Sequence, residues 1–367
     1  MKTKVYCVFS LLTIYLFSAS VLSGQIRKTE NLVLITIDGL RWQDLFFGPD
    51  DSLINNSLYV KDIPSISAIY KKDDTLKARR NLMPFFWDSI SVKGQLIGNR
   101  SLKSFSSVTN RHWFSYPGYN EILTGFSDPT INTNNKIYNH NTTVLEWLNN
   151  LPEYRGRVAA FCSWDVFPFI INDKRSNIPV NAGFMEAIGD ELTLKENYLS
   201  ELQKVTPSPW SSVRLDVFTH EFAKEYIRKK HPKVLFISYG ETDDFAHDGR
   251  YDHYLNATKR TDGFIHDLWN LYQSDPVYKG NTTFFITTDH GRGDLLKEEW
   301  KSHGNIIKGS NEIWVAVLGP DTPALGEGQN TPLILQNQFA ATIAAFFGLE
   351  YSLPGKETGV PISFFLK

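Results

Sequence analysis

The chain has 367 residues, of which 42% are hydrophobic and 21% charged, so it can bury a large core in one big α/β domain or two smaller ones. Its formal net charge of −2 argues against a general nucleic-acid-binding protein, which normally carries a basic excess. Of its two cysteines, Cys7 lies in a segment that we expect to be removed, which excludes an internal disulfide and leaves Cys162 as a core residue.

Residues 1–24 have the pattern of an export signal. Lys2 and Lys4 give a positively charged start, residues 5–17 are mostly apolar, and small residues follow from Ser18 to Gly24. The apolar stretch is short for a membrane span, so we expect cleavage near residues 23–25 and no transmembrane segment beyond the signal. The sequence therefore predicts an exported protein, periplasmic or secreted, whose mature part spans residues 25–367 as a single domain.

Strand-like and helix-like patterns alternate along the rest of the chain, which favours a mostly parallel central sheet with helices on both faces. Apolar runs predict buried strands at residues 31–37, 158–162, 234–238, 283–287 and 313–318. Helical patterns occur at residues 144–151, 216–230, 254–272 and 333–347. Two polar and irregular segments, around residues 50–93 and 167–209, are expected to be insertions or lid segments over an edge of the sheet.

The first strand pattern, residues 31–37, is followed directly by Asp38 and Gly39. Side chains at the carboxyl end of a parallel strand lie where open α/β sheets bind their ligands. Asp38 is therefore a candidate ligand, although an isolated aspartate at this point would equally well cap the next helix.

Residues 113–125 read as a loop that enters a helix ended by Gly125, with Pro117 inside the first turn. Ser115 is expected just before that turn, where its hydroxyl faces unpaired amides and the positive end of the helix dipole. That position suits an alkoxide nucleophile and a bound phosphate. The alternative is that Ser115 only caps the helix.

Two further strand patterns end in side chains that bind metal ions. Asp243 and His247 are four residues apart, so they face the same side of one helical turn and can chelate one ion. Asp244 is the neighbouring alternative, as a ligand or as a cap. Asp289 and His290 follow the strand at residues 283–287 and offer an oxygen and a nitrogen, most naturally to zinc.

His303 is followed by a glycine. Alone it is weak evidence for a metal ligand, but it completes the set of candidate ligands. Together with Asp38, the strand ends supply three aspartates and three histidines. Six such ligands are enough for two metal ions with three protein ligands each.

These motifs, in this order along the chain, resemble those of the alkaline phosphatase superfamily. The nearest match is its type I phosphodiesterase/nucleotide pyrophosphatase branch, where a Thr-Phe-Pro segment carries the nucleophile in place of Ser115-Tyr116-Pro117. The resemblance runs from about residue 31 to residue 347 and implies an alkaline phosphatase-like catalytic domain. One departure is that His303 follows the Asp-His pair at a shorter separation than in that branch.

The resemblance implies two zinc ions per chain. One would be held by Asp38, Asp289, His290 and the oxygen of Ser115, and the other by Asp243, His247 and His303. It also implies an asparagine that hydrogen-bonds a phosphoryl oxygen, for which Asn135 is the candidate and Asn134 the next to test. Three carboxylates against two divalent ions leave about one net positive charge to attract a phosphate.

The implied reaction is phosphoester hydrolysis through a covalent phosphoserine on Ser115. The substrate is a small phosphoester, either a diester or a nucleotide pyrophosphate. Trp113, Phe114, Trp164 and Phe167 are candidates to stack a nucleobase or another planar group. The oligomeric state is not predicted.

The alternative substrate is a phosphate monoester, whose extra charge calls for a cation near the nonbridging oxygens. Lys174, Arg175 and Arg111 are the candidates, although Lys174 and Arg175 are adjacent and the monoesterase pattern separates them by one residue. A sulfatase or a phosphonate hydrolase fits less well, because Tyr119 stands where the sulfatase pattern has an arginine. An inactive metal-binding scaffold is the non-enzymatic alternative.

Overall fold

The computed structural model describes residues 27–367. The predicted export signal lies outside the described residues, and both export and the assignment of residues 25–367 to a single catalytic domain stay predictions. In the described part of the chain, no helix is both long enough and apolar enough to span a bilayer.

The core of the structure is an eight-stranded sheet with the strand order β10-β2-β9-β7-β1-β6-β4-β5. A small second sheet has the order β11-β3-β8. The strands are β1 (Asn31–Ile37), β2 (Gln95–Ile97), β3 (Ser106–Ser107), β4 (Val158–Cys162), β5 (Val180–Ala182), β6 (Val234–Tyr239), β7 (Thr282–Thr287), β8 (Glu312–Ile313), β9 (Val315–Leu318), β10 (Gly326–Glu327) and β11 (Ile334–Leu335). In the large sheet, β9 runs antiparallel to both neighbours and the other pairs are parallel, which confirms the predicted mostly parallel sheet.

Helices cover both faces of this sheet, as predicted. They are α1 (Trp42–Phe47), α2 (Asp51–Ile54), α3 (Ile63–Tyr70), α4 (Thr75–Leu82), α5 (Ser91–Lys93), α6 (Ser115–Thr124), α7 (Val144–Asn150), α8 (Phe167–Ile171), α9 (Asp173–Ser176), α10 (Leu194–Val205), α11 (Asp216–Lys230), α12 (Glu241–His247), α13 (Tyr251–Ser274) and α14 (Phe339–Phe346). Alternate residues of β1 supply the two cores: Val33 and Ile35 pack against α1, α11 and α13, whereas Leu32 and Leu34 pack against α6, α7 and α14.

The segment at residues 50–93 is not irregular, so that prediction is wrong. It forms α2, α3, α4, a π-helical turn at Phe86–Ile90 and α5. Many of its apolar side chains, among them Leu53, Tyr70 and Phe86, are buried in the core on the α13 side of the sheet, whereas a few, such as Leu58 and Leu76, are exposed. The polar residues that suggested a lid lie on the outer faces of short amphipathic helices, which a scan for long periodic runs does not detect.

The segment at residues 167–209 also differs from the prediction. It begins with α8 and α9 and then supplies β5, the edge strand that pairs in parallel with β4. Only its later part, with α10, lies outside the sheet, and Leu199 of that helix still packs into the core. Part of this segment therefore belongs to the central fold.

Near the C-terminus the predicted elements are interrupted. The strand predicted at residues 313–318 is divided at Trp314 into β8 and β9, which belong to different sheets. The helix predicted at residues 333–347 begins only at Phe339, after β11 and a 3-10 turn at Gln336–Gln338. Cys162, by contrast, is a buried residue at the end of β4, as expected.

Candidate metal centre and nucleophile

The candidate ligands come from the ends of three adjacent strands, β7, β1 and β6. These strands are parallel and in register, with Thr36 of β1 opposite both Thr287 of β7 and Ser238 of β6. Their carboxyl ends are therefore level, so the residues that follow them converge at one edge of the sheet. Gly39 makes the turn after β1 with φ of 57°, a left-handed conformation that favours glycine.

One ligand group consists of Asp38, Asp289 and His290, which are all buried. One ligand atom from each lies within 4.8 Å of the others. His290 Nε2 is 3.5 Å from Asp38 Oδ1 and 3.4 Å from Asp289 Oδ2. The family resemblance implied that these three residues bind one ion, and the structure brings them together.

A second group consists of Asp243, His290 and His303. His247 adjoins it, with its Nε2 3.2 Å from Asp243 Oδ2 and 2.9 Å from His303 Nε2. The set predicted for the second ion, Asp243, His247 and His303, is thus assembled, with His290 between the two groups. Asp243 belongs to this group, whereas the carboxylate of Asp244 faces the cavity beside it.

The arrangement of free and bonded oxygens fits a metal ion. Asp38 Oδ2 accepts a hydrogen bond from the Tyr119 hydroxyl at 2.8 Å, and Asp289 Oδ1 accepts one from the Gly39 amide at 3.2 Å. The other oxygens, Asp38 Oδ1 and Asp289 Oδ2, are buried and have no hydrogen-bond partner, and they are the oxygens of these two carboxylates that lie near His290 Nε2. Buried acceptors without partners are costly, and metal coordination would satisfy them.

The orientation of the His290 ring also fits a metal ion. Its Nδ1 lies 2.9 Å from the carbonyl oxygen of Gly291, which can only accept a hydrogen bond, so Nδ1 carries the proton. The lone pair of Nε2 then points at the two free carboxylate oxygens. This is the tautomer that a metal-binding histidine requires.

The carboxylates repel one another without a cation. Burial, together with the negative charges of Asp289 and Asp243, raises the pKa of Asp38 well above its ordinary value. Burial also raises the pKa of Asp289. The pKa of Asp243 is lowered well below its ordinary value: burial raises it, but the Arg292 guanidinium and the neighbouring histidines outweigh that effect. Divalent ions would stabilise the ionised form of all three.

Ser115 is the first residue of α6, and Phe114 occupies the cap position with no side-chain cap bond. Ser115 is buried, and its Oγ lies 3.4 Å from His290 Nε2. Its hydroxyl therefore faces the first ligand group instead of capping the helix. The expected row of unpaired amides is absent, because the Tyr116 N–H donates to Asn134 Oδ1 at 3.0 Å and Pro117 has no N–H.

A cavity of about 190 Å³ opens onto the ligand groups. It is lined by Asp38, Ser115, Asn134, Trp164, Ser212, Val213, Gly240, Asp243, Asp244, His247 and His303. Burial and the charge of Asp243 raise the pKa of Asp244 to about 8. A larger cavity, about 540 Å³, lies between α1 and residues 293–297 and contains none of the predicted ligands, so its size does not make it the site.

The asparagine prediction needs a correction. Asn134 lines the cavity, whereas Asn135 does not. Since Asn134 Oδ1 accepts from the Tyr116 amide at the start of α6, its amide nitrogen is the group left to donate to a bound oxyanion. Asn135 lies at a bend, where its carbonyl oxygen accepts a hydrogen bond from the Ile137 amide, and its side chain does not line the cavity.

The three predicted phosphate-binding cations are not among the residues that line the cavity. Arg175 binds Glu146 through two hydrogen bonds, at 2.8 and 2.7 Å, and also donates to backbone carbonyls of residues 139–141, so its role is structural. Lys174 lies over the ring of Tyr138 at 4.8 Å from the centroid. Arg111 is exposed on the loop before α6.

Two residues at the site were missed. Tyr119 lies one helical turn after Ser115, and its hydroxyl contacts both Asp38 and Ser238, the latter at 3.0 Å. Arg292 lies two residues after His290, is buried and contacts Asp243. The spacing from Ser115 along the helix was a usable signal for Tyr119, whereas nothing in the pattern marked Arg292.

Comparison with known proteins shows which family the chain matches. Residues 94–311 match the type I phosphodiesterase / nucleotide pyrophosphatase family. A 2,3-bisphosphoglycerate-independent phosphoglycerate mutase from Gracilaria tenuistipitata var. liui is 28% identical over 116 residues, which are 29% of this chain and 21% of that relative. The chain thus matches only about a fifth of the length of this curated relative.

Solved structures with little sequence identity share the fold. The alkaline phosphatase PafA aligns with a TM-score of 0.58 at 10% identity, covering 93% of this chain and 99% of that one. The lipoteichoic acid synthase LtaP from Listeria monocytogenes has a TM-score of 0.56 at 11% identity, covering 92% and 76%. A sulfatase-like protein from Bacteroides thetaiotaomicron also has a TM-score of 0.56 at 11% identity, covering 91% and 74%.

The resemblance inferred from the sequence motifs is therefore confirmed, and so is the alkaline phosphatase-like fold. Family and fold together support a hydrolase. Because residues 94–311 are more than half of the 367 residues, the chain belongs to the type I phosphodiesterase / nucleotide pyrophosphatase family, with an alkaline phosphatase-like fold.

Proposed function

We propose that the protein is an exported hydrolase of phosphodiesters or nucleotide pyrophosphates that binds two zinc ions and acts through a covalent phosphoserine on Ser115. The observation that carries the proposal is the position of the Ser115 hydroxyl, buried at the start of α6 and 3.4 Å from His290 Nε2. A hydroxyl there faces the same free oxygens of Asp38 and Asp289 that fit a metal ion. Bound zinc would lower the pKa of the hydroxyl and of an attacking water, and would offset the charge of the phosphoryl group.

The roles of the chain's own groups follow from their positions. The Ser115 oxygen attacks phosphorus and gives up its proton, the bond to the leaving oxygen breaks, and that oxygen takes up a proton from solvent. The phosphoryl group, still carrying the other ester of a diester substrate, becomes attached to the serine. Water then cleaves the phosphoserine and restores the hydroxyl. Asn134, which also lines the cavity, would donate a hydrogen bond to a phosphoryl oxygen.

The cavity favours a diester over a monoester. A monoester carries one more negative charge, and no Lys or Arg side chain among residues 27–367 lines this cavity. The monoesterase alternative depended on Lys174 or Arg175, and the structure gives Arg175 a structural partner in Glu146. The lower charge of a diester or a pyrophosphate linkage suits the lining better.

The leaving group can be planar. Of the aromatic candidates, Trp164 lines the cavity, whereas Phe167 is buried in the core against Tyr119. An indole on the cavity wall supports stacking of a nucleobase or an aryl group. A sulfate ester is less well supported, because Tyr119 stands in place of the arginine of the sulfatase pattern and its hydroxyl is bonded to Asp38.

The test compares three aryl substrates with the zinc-loaded protein: bis-p-nitrophenyl phosphate, p-nitrophenyl phosphate and p-nitrophenyl sulfate. We expect the kcat/KM of the diester to exceed that of the monoester by at least about tenfold, which corresponds to roughly 1.4 kcal/mol. Ser115→Ala should remove the activity, whereas Ser200→Ala, at a buried serine of α10, should keep it. A preference for the monoester or the sulfate would contradict the substrate assignment, and no turnover at all would support an inactive scaffold.

A further inference from the structure

Arg292 is a buried arginine, with 1% of its surface exposed, that lies two residues after His290. Its Nε donates to the carbonyl oxygen of Gly39 at 3.1 Å, and its Nη1 donates to that of Lys301 at 2.9 Å. Its Nη2 donates to the carbonyl oxygen of Asp243 at 3.0 Å and also to Asp243 Oδ1. One side chain therefore makes four hydrogen bonds to three other segments.

Each of these segments carries a candidate ligand. Gly39 follows Asp38 directly, Asp243 is itself a ligand, and Lys301 lies two residues before His303. With His290 two residues before the arginine, a single guanidinium connects all four ligand-bearing loops. Because the guanidinium is planar and its donors are fixed in direction, these bonds set the positions of the loops relative to one another.

Space for the guanidinium depends on Gly39. A β-carbon at that position would lie 2.7 Å from Asp243 Oδ1 and 2.9 Å from both Nε and Nη2 of Arg292. These separations are shorter than real contacts of a β-carbon, so a side chain at Gly39 would displace the arginine or the aspartate. The turn after β1 is thus built around the Arg292–Asp243 pair.

The Arg292–Asp243 contact gives the third carboxylate the same kind of anchor as the other two. Asp38 is held through one oxygen by Tyr119, and Asp289 is held through one oxygen by the Gly39 amide. Asp243 is held through Oδ1 by Arg292, and its Oδ2 lies 3.2 Å from His247 Nε2. In each case the protein fixes one oxygen of the carboxylate, and such anchoring of ligands tunes metal binding.

We propose that Arg292 is a positioning residue for the second metal, holding Asp243 and the loops of His290 and His303 in the binding arrangement. The inference rests on the two-metal site of the proposed function. Arg292 does not act on the substrate, since its donors are used on protein acceptors and it does not line the cavity. The ligand side chain that its guanidinium contacts is that of Asp243, which belongs to the second group, so its loss should weaken the second zinc far more than the first.

The test measures zinc affinity directly, by titrating the metal-free protein in competition with a chromophoric chelator. We expect the wild type to bind two zinc ions. Arg292→Met should keep the first affinity and weaken the second by about 10–100-fold, the usual effect of losing a group that anchors a ligand. Arg292→Lys keeps the charge but not the planar fork, so it should also weaken the second ion selectively.

Arg214 provides a matched control, because it is also fully buried but its guanidinium contacts Thr219 and Asn181, away from the ligands. Arg214→Met should lower the melting temperature without changing either zinc affinity. Wild-type zinc affinities in both Arg292 variants would overturn the proposal, and so would equal weakening of the two ions. If Arg292→Met does not fold, the lysine variant decides. Failure of the proposed function is distinguishable, since it would appear as absent turnover with two zinc ions bound.

Discussion

A β-carbon at Gly118 would lie 2.5 Å from the carbonyl oxygen of Asp289, so the helix of the candidate nucleophile packs directly on the backbone of a candidate ligand. Gly118 is the fourth residue of α6, one turn after Ser115. The contact allows α6 to lie close to Asp289, and this close packing sets how near Ser115 lies to the first ligand group. Only glycine allows it.

Gly118→Ala should therefore push α6 away from Asp289 and displace the Ser115 hydroxyl. A displacement approaching 1 Å costs on the order of 100-fold in rate. The measurement is kcat on an aryl diester together with the melting temperature. Gly263→Ala in α13 is the control, since its β-carbon would meet nothing within 4 Å; it should raise stability by about 0.5–1 kcal/mol and leave kcat unchanged. A wild-type kcat in Gly118→Ala would show that the contact between Gly118 and Asp289 does not position Ser115.

Of the two neighbouring asparagines, Asn134 lines the cavity and Asn135 does not. Asn134→Ala should lower kcat/KM by about 10²–10³-fold if its amide donates to the transition-state oxyanion. Asn135→Ala should have little effect, because Asn135 does not line the cavity. Steady-state kinetics on the two variants under identical conditions distinguish them. The reverse order would return the role to Asn135.

Tyr119 tests the anchoring of Asp38. Tyr119→Phe removes the hydroxyl that donates to Asp38 Oδ2 at 2.8 Å and leaves the ring in the core. We expect zinc affinity to fall by about 10–100-fold, mainly at the first ion. Tyr278→Phe is the control, because the hydroxyl of this buried residue donates to the Pro232 carbonyl, away from the site. Equal zinc affinities in both variants would show that the Tyr119 hydroxyl does not matter.

The fold could be predicted from the sequence wherever strands are buried on both faces. The runs that became β1, β6 and β7 are rich in apolar and β-branched residues, and their parallel order puts Asp38, Asp243 and Asp289 at one edge. Segments made of short helices were harder to predict. The helices within residues 50–93 have 3–8 residues each, too few for a periodic pattern to stand out.

The site was predictable where a ligand follows a strand and less so where it lies on a loop. Asn134 and Asn135 are adjacent and identical, and the sequence does not show which of them a bend in the chain directs toward the cavity. Arg292 makes its contacts to three backbone carbonyls, and backbone acceptors leave no trace in the sequence. Arg175 was misassigned because its partner Glu146 is distant in the chain.

Asp262 makes stability depend on pH. It is buried on α13, accepts the amides of Phe85 and Phe86 at 2.9 and 3.0 Å, and burial raises its pKa from 3.8 to about 7. Between these values the folded protein keeps a proton that the unfolded chain has lost. This group's contribution to stability therefore falls as the pH rises from about 4 to about 7, and is constant above that.

Asp262→Asn removes this dependence. Urea unfolding of both proteins at about pH 5 and about pH 8 gives the difference in unfolding free energy, variant minus wild type. That difference should be more positive at about pH 8 than at about pH 5, by a few kcal/mol as an order of magnitude, because only the wild type loses stability between the two pH values. Parallel pH profiles for the two proteins would contradict the raised pKa of Asp262.

The central claim is that the Ser115 oxygen becomes covalently bound to phosphorus during turnover. The most direct measurement is rapid acid quenching of the zinc-loaded protein with excess aryl diester, followed by peptide mass spectrometry. In the peptide digest, Ser115 should carry a phosphoryl group that still bears one aryl ester, and this modification should be absent from Ser115→Ala and from protein quenched before substrate addition. Turnover with no modified Ser115, accompanied by inversion of configuration at phosphorus, would mean that water attacks directly and would contradict the account.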